Sequence, residues 1–254
     1  MEPTISKIIA NKKCYFYQNG NAGKCIIQPL DEHELEMMGA EIDEIKRLTD
    51  DKSFLLVAIL VDEWNKELSP WEAPAVFGKE NFGCGAADTL SFITDTLIPY
   101  IHKSYEKVLE YYLGGYSLAG LFSLWAGYQT DVFRGIAAVS PSVWFEGWNQ
   151  YILSHTIKAE KTYLSLGDKE SKTKNRVMAT VADRIQIQYE SLENKHILEW
   201  NSGNHFAQPD IRTAKGFAWL MNNLTEHEKY GEYFMNRSVS DIMSEYSEQH
   251  DEWH

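Results

Sequence analysis

Ser117 is the residue whose surroundings most clearly suggest chemistry. It lies in Gly115-Tyr116-Ser117-Leu118-Ala119-Gly120, between an apolar strand-like run and an Ala/Leu-rich helical stretch. A nucleophilic serine at a strand-to-helix turn takes a strained backbone conformation that exposes its hydroxyl. The residues two before and two after it must then be small, as Gly115 and Ala119 are. The pattern predicts a nucleophile at Ser117 and an oxyanion donor in the backbone N–H of Leu118, at the positive end of the helix.

A serine hydroxyl needs a histidine base, which a carboxylate in turn orients. In doubly wound hydrolases the chain order is serine, acid, histidine. Downstream of Ser117, one predicted strand runs into Asp168 and Glu170, and the next runs into His205. We therefore predict His205 as the base and favour Glu170 over Asp168 as the acid. Three alternatives stay open: a Ser–His dyad with a backbone carbonyl as orienter, a Ser117 that only caps its helix, and an ordinary loop histidine at 205.

Other loops are expected at the same edge of the sheet. The loop after Val61 is placed to supply a second oxyanion donor from Glu63 or Trp64. Tyr116 and Trp144 are predicted to line the substrate pocket, because flat amphipathic side chains often form such walls. Four tryptophans lie in these loops, and they either form walls of the pocket or pack the loops together. Four acids in the same loops predict an acidic rim. The tryptophans are Trp64, Trp71, Trp144 and Trp148, and the acids are Asp62, Glu63, Glu72 and Glu146.

Apolar runs alternate with helical periods along the chain, which predicts the elements that position these residues. The predicted strands are Cys14–Tyr17, Cys25–Gln28, Phe54–Val61, Tyr111–Tyr116, Gly135–Val139, Thr162–Leu166 and His196–Trp200. The predicted helices are Asp31–Leu48, a stretch capped by Asp88 that reaches Ile101, Leu118–Tyr128, Lys174–Leu192 and Pro209–Leu224. Pro99 predicts a kink or an early break in the second helix.

The alternation of strands and helices predicts an α/β fold, a mostly parallel central sheet with helices on both faces. In such sheets, ligands bind beyond the carboxyl ends of the strands, where the loops after Val61, Tyr116, Val139, Leu166 and Trp200 should meet. We predict one catalytic domain over residues 1–224. We expect residues 225–254 to form a helical, acidic extension.

Composition excludes several classes of function. The 254 residues carry a net charge of −13, which repels nucleic-acid phosphates and anionic lipid, so we expect neither nucleic-acid nor membrane partners. The N-terminus lacks a secretory signal and the three cysteines are widely spaced, so we expect a cytoplasmic protein with reduced thiols. The oligomeric state is not indicated.

The remaining candidate sites are weak. His250 and His254 have the spacing of a zinc-binding helix, but the glutamate between them is in the wrong position for that motif, and no further ligand follows. Cys84 has no neighbour that would lower the pKa of its thiol. We therefore expect no metal and no cofactor.

Several motifs, in this order, resemble the family named Putative esterase, a branch of the α/β-hydrolases that includes enterochelin-esterase-like and esterase D-like enzymes. They are Leu68-Ser69-Pro70-Trp71, Phe82-Gly83-Cys84-Gly85, Pro99-Tyr100-Ile101, the segment Gly115 to Phe122, Ser140-Pro141-Ser142-Val143-Trp144, Gly167-Asp168-Lys169-Glu170 and Gly203-Asn204-His205-Phe206. The similarity runs from about Phe54 to Leu224.

The resemblance implies an α/β-hydrolase fold with Ser117 as nucleophile, His205 as base and Glu170 or a nearby residue as acid. Together with the residue argument, it predicts a serine hydrolase that cleaves small-molecule carboxylic esters through an acyl-enzyme intermediate. Two alternatives remain: a non-catalytic binding protein on a hydrolase scaffold, and an acyltransferase that uses the same acyl-enzyme.

Overall fold

Eight strands form one sheet in the computed structural model, which describes residues 3–222. In chain order the strands are β1 (Ile5–Ile9), β2 (Lys12–Asn19), β3 (Lys24–Leu30), β4 (Phe54–Leu60), β5 (Glu110–Tyr116), β6 (Phe133–Val139), β7 (Lys161–Gly167) and β8 (Lys195–Asn201). Across the sheet their order is β1-β2-β4-β3-β5-β6-β7-β8. Strand β2 runs antiparallel to both of its neighbours, and all other neighbouring strands are parallel. The sheet is therefore mostly parallel, as predicted.

Helices connect the strands and cover both faces of the sheet. They are α1 (Glu32–Leu48), α2 (Trp64–Glu67), α3 (Ala86–Phe92), α4 (Ile98–Ser104), α5 (Leu118–Gln129), α6 (Trp148–Ile152), α7 (Val181–Glu190) and α8 (Pro209–Asn222). Along β4, Phe54 and Leu56 pack into the apolar layer that α1 and α8 share, whereas Leu55 and Val57 pack into the layer on the opposite face. This alternation explains the uninterrupted apolar sequence of β4, because a strand covered on both faces has no solvent side.

Helix α1 begins where the sequence predicts it. Asp31 is its N-cap: its side chain accepts a hydrogen bond from the Glu34 N–H, and the Glu34 side chain accepts one from the Asp31 N–H. This reciprocal capping satisfies two donors that the first turn would otherwise leave unpaired. The apolar stripe of α1 is buried against the sheet, as shown by Met38, Ile42 and Ile45.

The helix that carries Pro99 is deformed rather than ended. A π-helical turn, Ile93–Leu97, joins α3 to α4, and Pro99 lies in the first turn of α4. In a regular α-helix the proline ring would collide with the carbonyl of Asp95, and the wider turn relieves that collision. The predicted cap at Asp88 is wrong, because the helix already begins at Ala86.

Two more predictions need correction. Strand β1 has no counterpart among the predicted strands; its residues are mostly exposed, so it lacks the apolar run that marks the buried strands. The predicted helix Lys174–Leu192 is too long at its start. The chain instead forms a loop, then a 3₁₀ turn at Met178–Thr180, before α7 begins at Val181.

Two sequence predictions reach beyond the described part of the chain. The acidic extension at 225–254 lies outside it, as does the C-terminal boundary predicted for the catalytic domain. Residues 3–222 contain no helix with the length and apolarity needed to cross a bilayer. The cytoplasmic location stays a prediction.

Candidate active site

Ser117 sits at a tight turn between β5 and α5. Its backbone angles are φ 57° and ψ −118°, a left-handed region that a residue with a side chain rarely adopts. The turn is held by the Ser117 N–H, which donates to the Val139 carbonyl at 3.0 Å. A Cβ on Gly115 would lie only 2.6 Å from the Cβ of Ala119, so both positions must stay small. The geometry is that of a strained turn that lifts the serine hydroxyl above the edge of the sheet.

The imidazole of His205 lies between Ser117 and Glu170. The Ser117 Oγ and His205 Nε2 are 3.1 Å apart, and His205 Nδ1 is 2.7 Å from Glu170 Oε2. Because an ionised carboxylate only accepts hydrogen bonds, Nδ1 carries the proton and donates it to Glu170. Nε2 is then unprotonated and accepts the hydrogen bond from the serine hydroxyl. The structure therefore brings together the three residues predicted as nucleophile, base and acid.

The carboxylate of Glu170 is almost fully buried and heavily hydrogen-bonded. Its Oε1 accepts from Ser140 Oγ at 2.7 Å, from the Gly167 N–H at 2.7 Å and from Arg212 Nη1 at 3.1 Å. Burial alone would raise the pKa of this carboxyl group. The hydrogen bonds from His205, Ser140 and Gly167 outweigh burial and hold the pKa of Glu170 below its ordinary value, so the group is ionised at neutral pH.

Asp168, the other candidate acid, has a different role. It is exposed, and its Oδ1 accepts the Gly203 N–H at 2.7 Å. This bond ties the loop after β7 to the loop after β8, which carries His205. Asp168 thus supports the backbone around the imidazole, whereas the carboxylate that contacts the imidazole belongs to Glu170.

Two backbone N–H groups, those predicted as oxyanion donors, have no hydrogen-bond partner in the described part of the chain. Leu118 and Trp64 are the first residues of α5 and α2, so neither N–H has a partner within its helix. Within residues 3–222, neither donates to any other group. The alternative donor, the Glu63 N–H, already donates to Glu67 Oε1 at 3.0 Å. Trp64 and Ser117 also line the same cavity.

A protein-family model matches most of this sequence. The model described as Putative esterase matches residues 17–208, which is most of the chain and includes Ser117, Glu170 and His205. The chain belongs to this family. No curated protein matches the chain at a significant level.

Solved structures share the fold of this chain at low sequence identity. The siderophore hydrolase EstA from Aspergillus nidulans is 16 % identical, with a TM-score of 0.67 over 83 % of this chain and 90 % of that chain. An IroE-like serine hydrolase from Shewanella oneidensis is 14 % identical, with a TM-score of 0.67 over 83 % and 76 % of the two chains. The enterobactin esterase of Shigella flexneri is 12 % identical, with a TM-score of 0.61 over 88 % and 62 %. These likenesses place the esterase in the α/β-hydrolase fold.

Two cavities are lined in part by His205. The smaller, of about 270 Å³, is also lined by Trp64, Tyr116 and Ser117 together with the start of α1. The larger, of about 420 Å³, is also lined by Trp144 and by the loop after β7. The two predicted pocket residues, Tyr116 and Trp144, therefore line separate cavities that share His205.

The other two tryptophans of this edge pack the loops together. Trp148 is fully buried and its Nε1 donates to Gln188 Oε1 at 2.9 Å. Trp71 stacks on Trp148 and donates from its Nε1 to the Glu146 carbonyl at 2.8 Å. Among the described residues, none of the four acids of the expected rim lines either cavity. The prediction that these four acids form a rim of the pocket is therefore wrong for both cavities, and lysines border the larger one.

Arg212 is a central residue of the site that the sequence does not reveal. Its buried guanidinium donates to Glu170 Oε1, to the Tyr116 hydroxyl at 3.2 Å and to the Ser202 carbonyl at 2.9 Å. The Tyr116 hydroxyl in turn donates to the His205 carbonyl at 2.6 Å. Arg212 thus holds both the carboxylate and the loop that carries the imidazole.

Ser140 is a second unpredicted contributor. It follows β6, has a positive φ of 44°, and directs its hydroxyl at Glu170. The sequence feature that indicates Ser140 is its position directly after a buried strand. It lies at the edge of the sheet formed by the carboxyl ends of the strands, where ligands bind.

Proposed function

We propose that the protein is a serine hydrolase that cleaves carboxylic esters through an acyl-enzyme intermediate. The observation that carries the proposal is the continuous hydrogen-bonded path from Ser117 Oγ through the His205 ring to Glu170, at 3.1 and 2.7 Å. Membership of an esterase family supports the same reaction class. The two cavities, of about 270 and 420 Å³, suit small-molecule esters better than polymers.

In the first half-reaction, the Ser117 oxygen attacks the ester carbonyl carbon while His205 Nε2 takes the hydroxyl proton. The charge that develops on the carbonyl oxygen is stabilised by the N–H groups of Leu118 and Trp64. The ionised Glu170 stabilises the imidazolium that forms beside it. His205 then gives the proton to the departing alcohol oxygen, the ester C–O bond breaks, and the acyl group stays on Ser117.

In the second half-reaction, water takes the place of the alcohol. His205 accepts a proton from the water, whose oxygen attacks the acyl carbon, and the Ser117 oxygen leaves as its proton is returned. The products are one alcohol and one carboxylic acid for each ester and water consumed. No side chain ends the cycle in a changed state.

A fluorophosphonate probe tests this proposal, because it phosphonylates an activated serine and leaves an ordinary serine unmodified. We expect the wild-type protein to be labelled on the peptide that contains Ser117, and Ser117→Ala to lose both labelling and ester hydrolysis. The expected loss in kcat is about 10⁴-fold or more.

Ser142→Ala is the matched control. Its Oγ lies 3.5 Å from Ser117 Oγ, and within the described range it has no hydrogen bond to His205. This variant should keep the label. Labelling that survives Ser117→Ala, or that disappears in Ser142→Ala instead, would contradict the proposal. No labelling and no hydrolysis in the wild type would favour a binding protein on the same scaffold.

A further inference from the structure

Positive charge is concentrated at the larger cavity beside His205. Lys169, Lys172 and Lys174 all line it, and all three are exposed. The whole chain, by contrast, carries 24 Lys and Arg residues against 37 Asp and Glu residues. Between Pro3 and Asn222, no acidic side chain forms an ion pair with any of the three ammonium groups. An acidic protein therefore presents three unpaired cations at the cavity that borders its imidazole.

The two acids of the same stretch are already engaged elsewhere. Glu170 accepts hydrogen bonds from His205 and Arg212, and Asp168 accepts the Gly203 N–H. Neither carboxylate pairs with a neighbouring lysine. The ammonium groups are therefore available to a bound ligand.

The backbone that carries the lysines is held in place. The Lys169 N–H donates to the Gly203 carbonyl at 3.1 Å, and the Lys172 N–H donates to the Lys169 carbonyl at 3.0 Å. Asn175 Nδ2 donates to the Val76 carbonyl at 2.6 Å, which ties the stretch to a separate loop. Because this backbone is already fixed, binding a ligand costs less conformational entropy. Only the lysine side chains lose freedom when a ligand binds.

Other residues that line the cavity form an apolar wall. Trp144 is 5 % exposed, and its ring packs against Phe82 and Phe77 with centroid distances of 6.0 and 6.2 Å. Met178 and Val181 continue this wall. Such a cavity suits a ligand with a flat or aliphatic body and a negatively charged end.

The position of His205 indicates which half of an ester enters this cavity. The acyl half stays bonded to Ser117, which lines the smaller cavity and not the larger one. The departing alcohol oxygen must receive its proton from His205, a residue that lines the larger cavity as well as the smaller one. The alcohol half is therefore the half that extends toward the lysines.

We propose that the larger cavity binds the alcohol half of an ester whose alcohol carries a negatively charged group, such as a carboxylate, on an apolar or aromatic body. This inference rests on the proposed function and defines its substrate class. Hydrolysis then consumes one water, breaks the ester C–O bond and releases a hydroxylated anion from the larger cavity. The proton on the new hydroxyl comes from His205.

The experiment compares 4-acetoxybenzoate with 4-acetoxybenzamide, which has the same shape and no charge. The kcat/KM of each ester is divided by its rate constant for hydrolysis by hydroxide, so that differences in intrinsic reactivity do not affect the comparison. The wild type should prefer the benzoate by about fivefold or more, since each exposed ion pair changes affinity by about two- to fivefold. Raising NaCl to about 0.5 M should reduce that preference.

Lys172→Ala/Lys174→Ala should lower the benzoate-to-benzamide ratio toward one. Lys172→Glu/Lys174→Glu should favour the benzamide. The matched control is Lys103→Ala/Lys107→Ala, which removes two exposed lysines near the start of β5, at the opposite edge of the sheet. This control should keep the wild-type ratio.

A wild type with no preference for the benzoate, or a ratio that survives both lysine variants, would overturn the inference while ester hydrolysis itself still stands. Hydrolysis of neither ester, with no fluorophosphonate labelling, would instead overturn the proposed function. A second pair, mono-4-nitrophenyl succinate against 4-nitrophenyl pentanoate, places the charge on the acyl half. Lysine variants that alter only this second pair would show that the assignment to the alcohol half is wrong.

Discussion

Replacing Arg212 by methionine tests how the candidate site is held together. Arg212 lies on α8 with its side chain only 3 % exposed. Its guanidinium donates to Glu170 at 3.1 Å, to Ser202 at 2.9 Å and to Tyr116 at 3.2 Å. A fourth hydrogen bond goes to Ser140 Oγ at 3.4 Å. Methionine keeps an apolar stem of similar length and removes the charge and all four hydrogen bonds.

The expected loss of stability follows from burial. Removing one partner of a buried ion pair costs about 3–5 kcal/mol, because the other charge is left without compensation. Glu170 keeps its hydrogen bonds from Ser140, the Gly167 N–H and His205, so we expect the lower value, about 3 kcal/mol. In a protein of this size, that lowers Tm by about 6–12 °C.

Activity should fall as well, because Arg212 holds the loop that carries His205 through Ser202 and through Tyr116. A displacement of the imidazole by about 1 Å costs roughly 100-fold in rate. We therefore expect kcat to fall by about 10- to 100-fold, with little change in KM.

The assay combines urea denaturation with steady-state ester hydrolysis, and Lys215→Met is its matched control. Lys215 is on the same helix and pairs with Glu199 at 2.7 Å, but both side chains are about one-third exposed, at 36 % and 32 %. Losing this exposed pair should cost at most about 1 kcal/mol and leave kcat unchanged. If Arg212→Met were no less stable and no less active than Lys215→Met, the positioning role would be refuted.

Four further predictions concern the groups around Ser117. Glu170→Gln should lower kcat by about 10²- to 10⁴-fold, because an amide that donates to Nδ1 leaves the imidazole in the wrong tautomer; unchanged kcat would favour a dyad. In the wild type, the pKa of Glu170 lies below its ordinary value of 4.5. It therefore stays charged at neutral pH, and kcat/KM should fall toward acidic pH, because a general base must be unprotonated to take the serine proton; a flat profile from about pH 5 to 8 would contradict this. Trp64→Pro removes one N–H at a helix position that tolerates proline, and should cost about 10²- to 10³-fold in kcat with Trp64→Phe as control. Gly115→Ala should destabilise the protein by about 1–3 kcal/mol, measured by denaturation, because the new methyl group meets Ala119 at 2.6 Å; a neutral result would show that the turn has room.

The sequence predicts the parallel part of the sheet well, for a physical reason. Strands covered on both faces, such as Phe54–Leu60, must be apolar throughout, and the loops after them must meet at one edge. Small residues around a serine at such a loop, and a histidine after a later strand, are enough to predict Ser117 and His205. The choice between Glu170 and Asp168 is different. Two carboxylates in one four-residue loop differ only in side-chain direction, which depends on partners elsewhere in the fold.

Other features have no signal in the local sequence. Arg212 looks like an ordinary helix residue, since its partners Tyr116 and Glu170 are 96 and 42 positions away. Lys174 is the first residue of a stretch predicted as helix, and Lys172 lies two residues before it. The structure has a loop there instead, and both lysines line the cavity. Strand β1 is missed because an exposed edge strand has no buried face to impose a pattern.

The most direct test is a crystal structure of the protein after reaction with a small fluorophosphonate. We predict a P–O bond to Ser117 Oγ, with the phosphonyl oxygen within hydrogen-bonding distance of the Leu118 and Trp64 N–H groups. The His205 ring should remain hydrogen-bonded to Glu170. A phosphonate on another residue, or an adduct on Ser117 whose oxygen points away from both N–H groups, would contradict the mechanism.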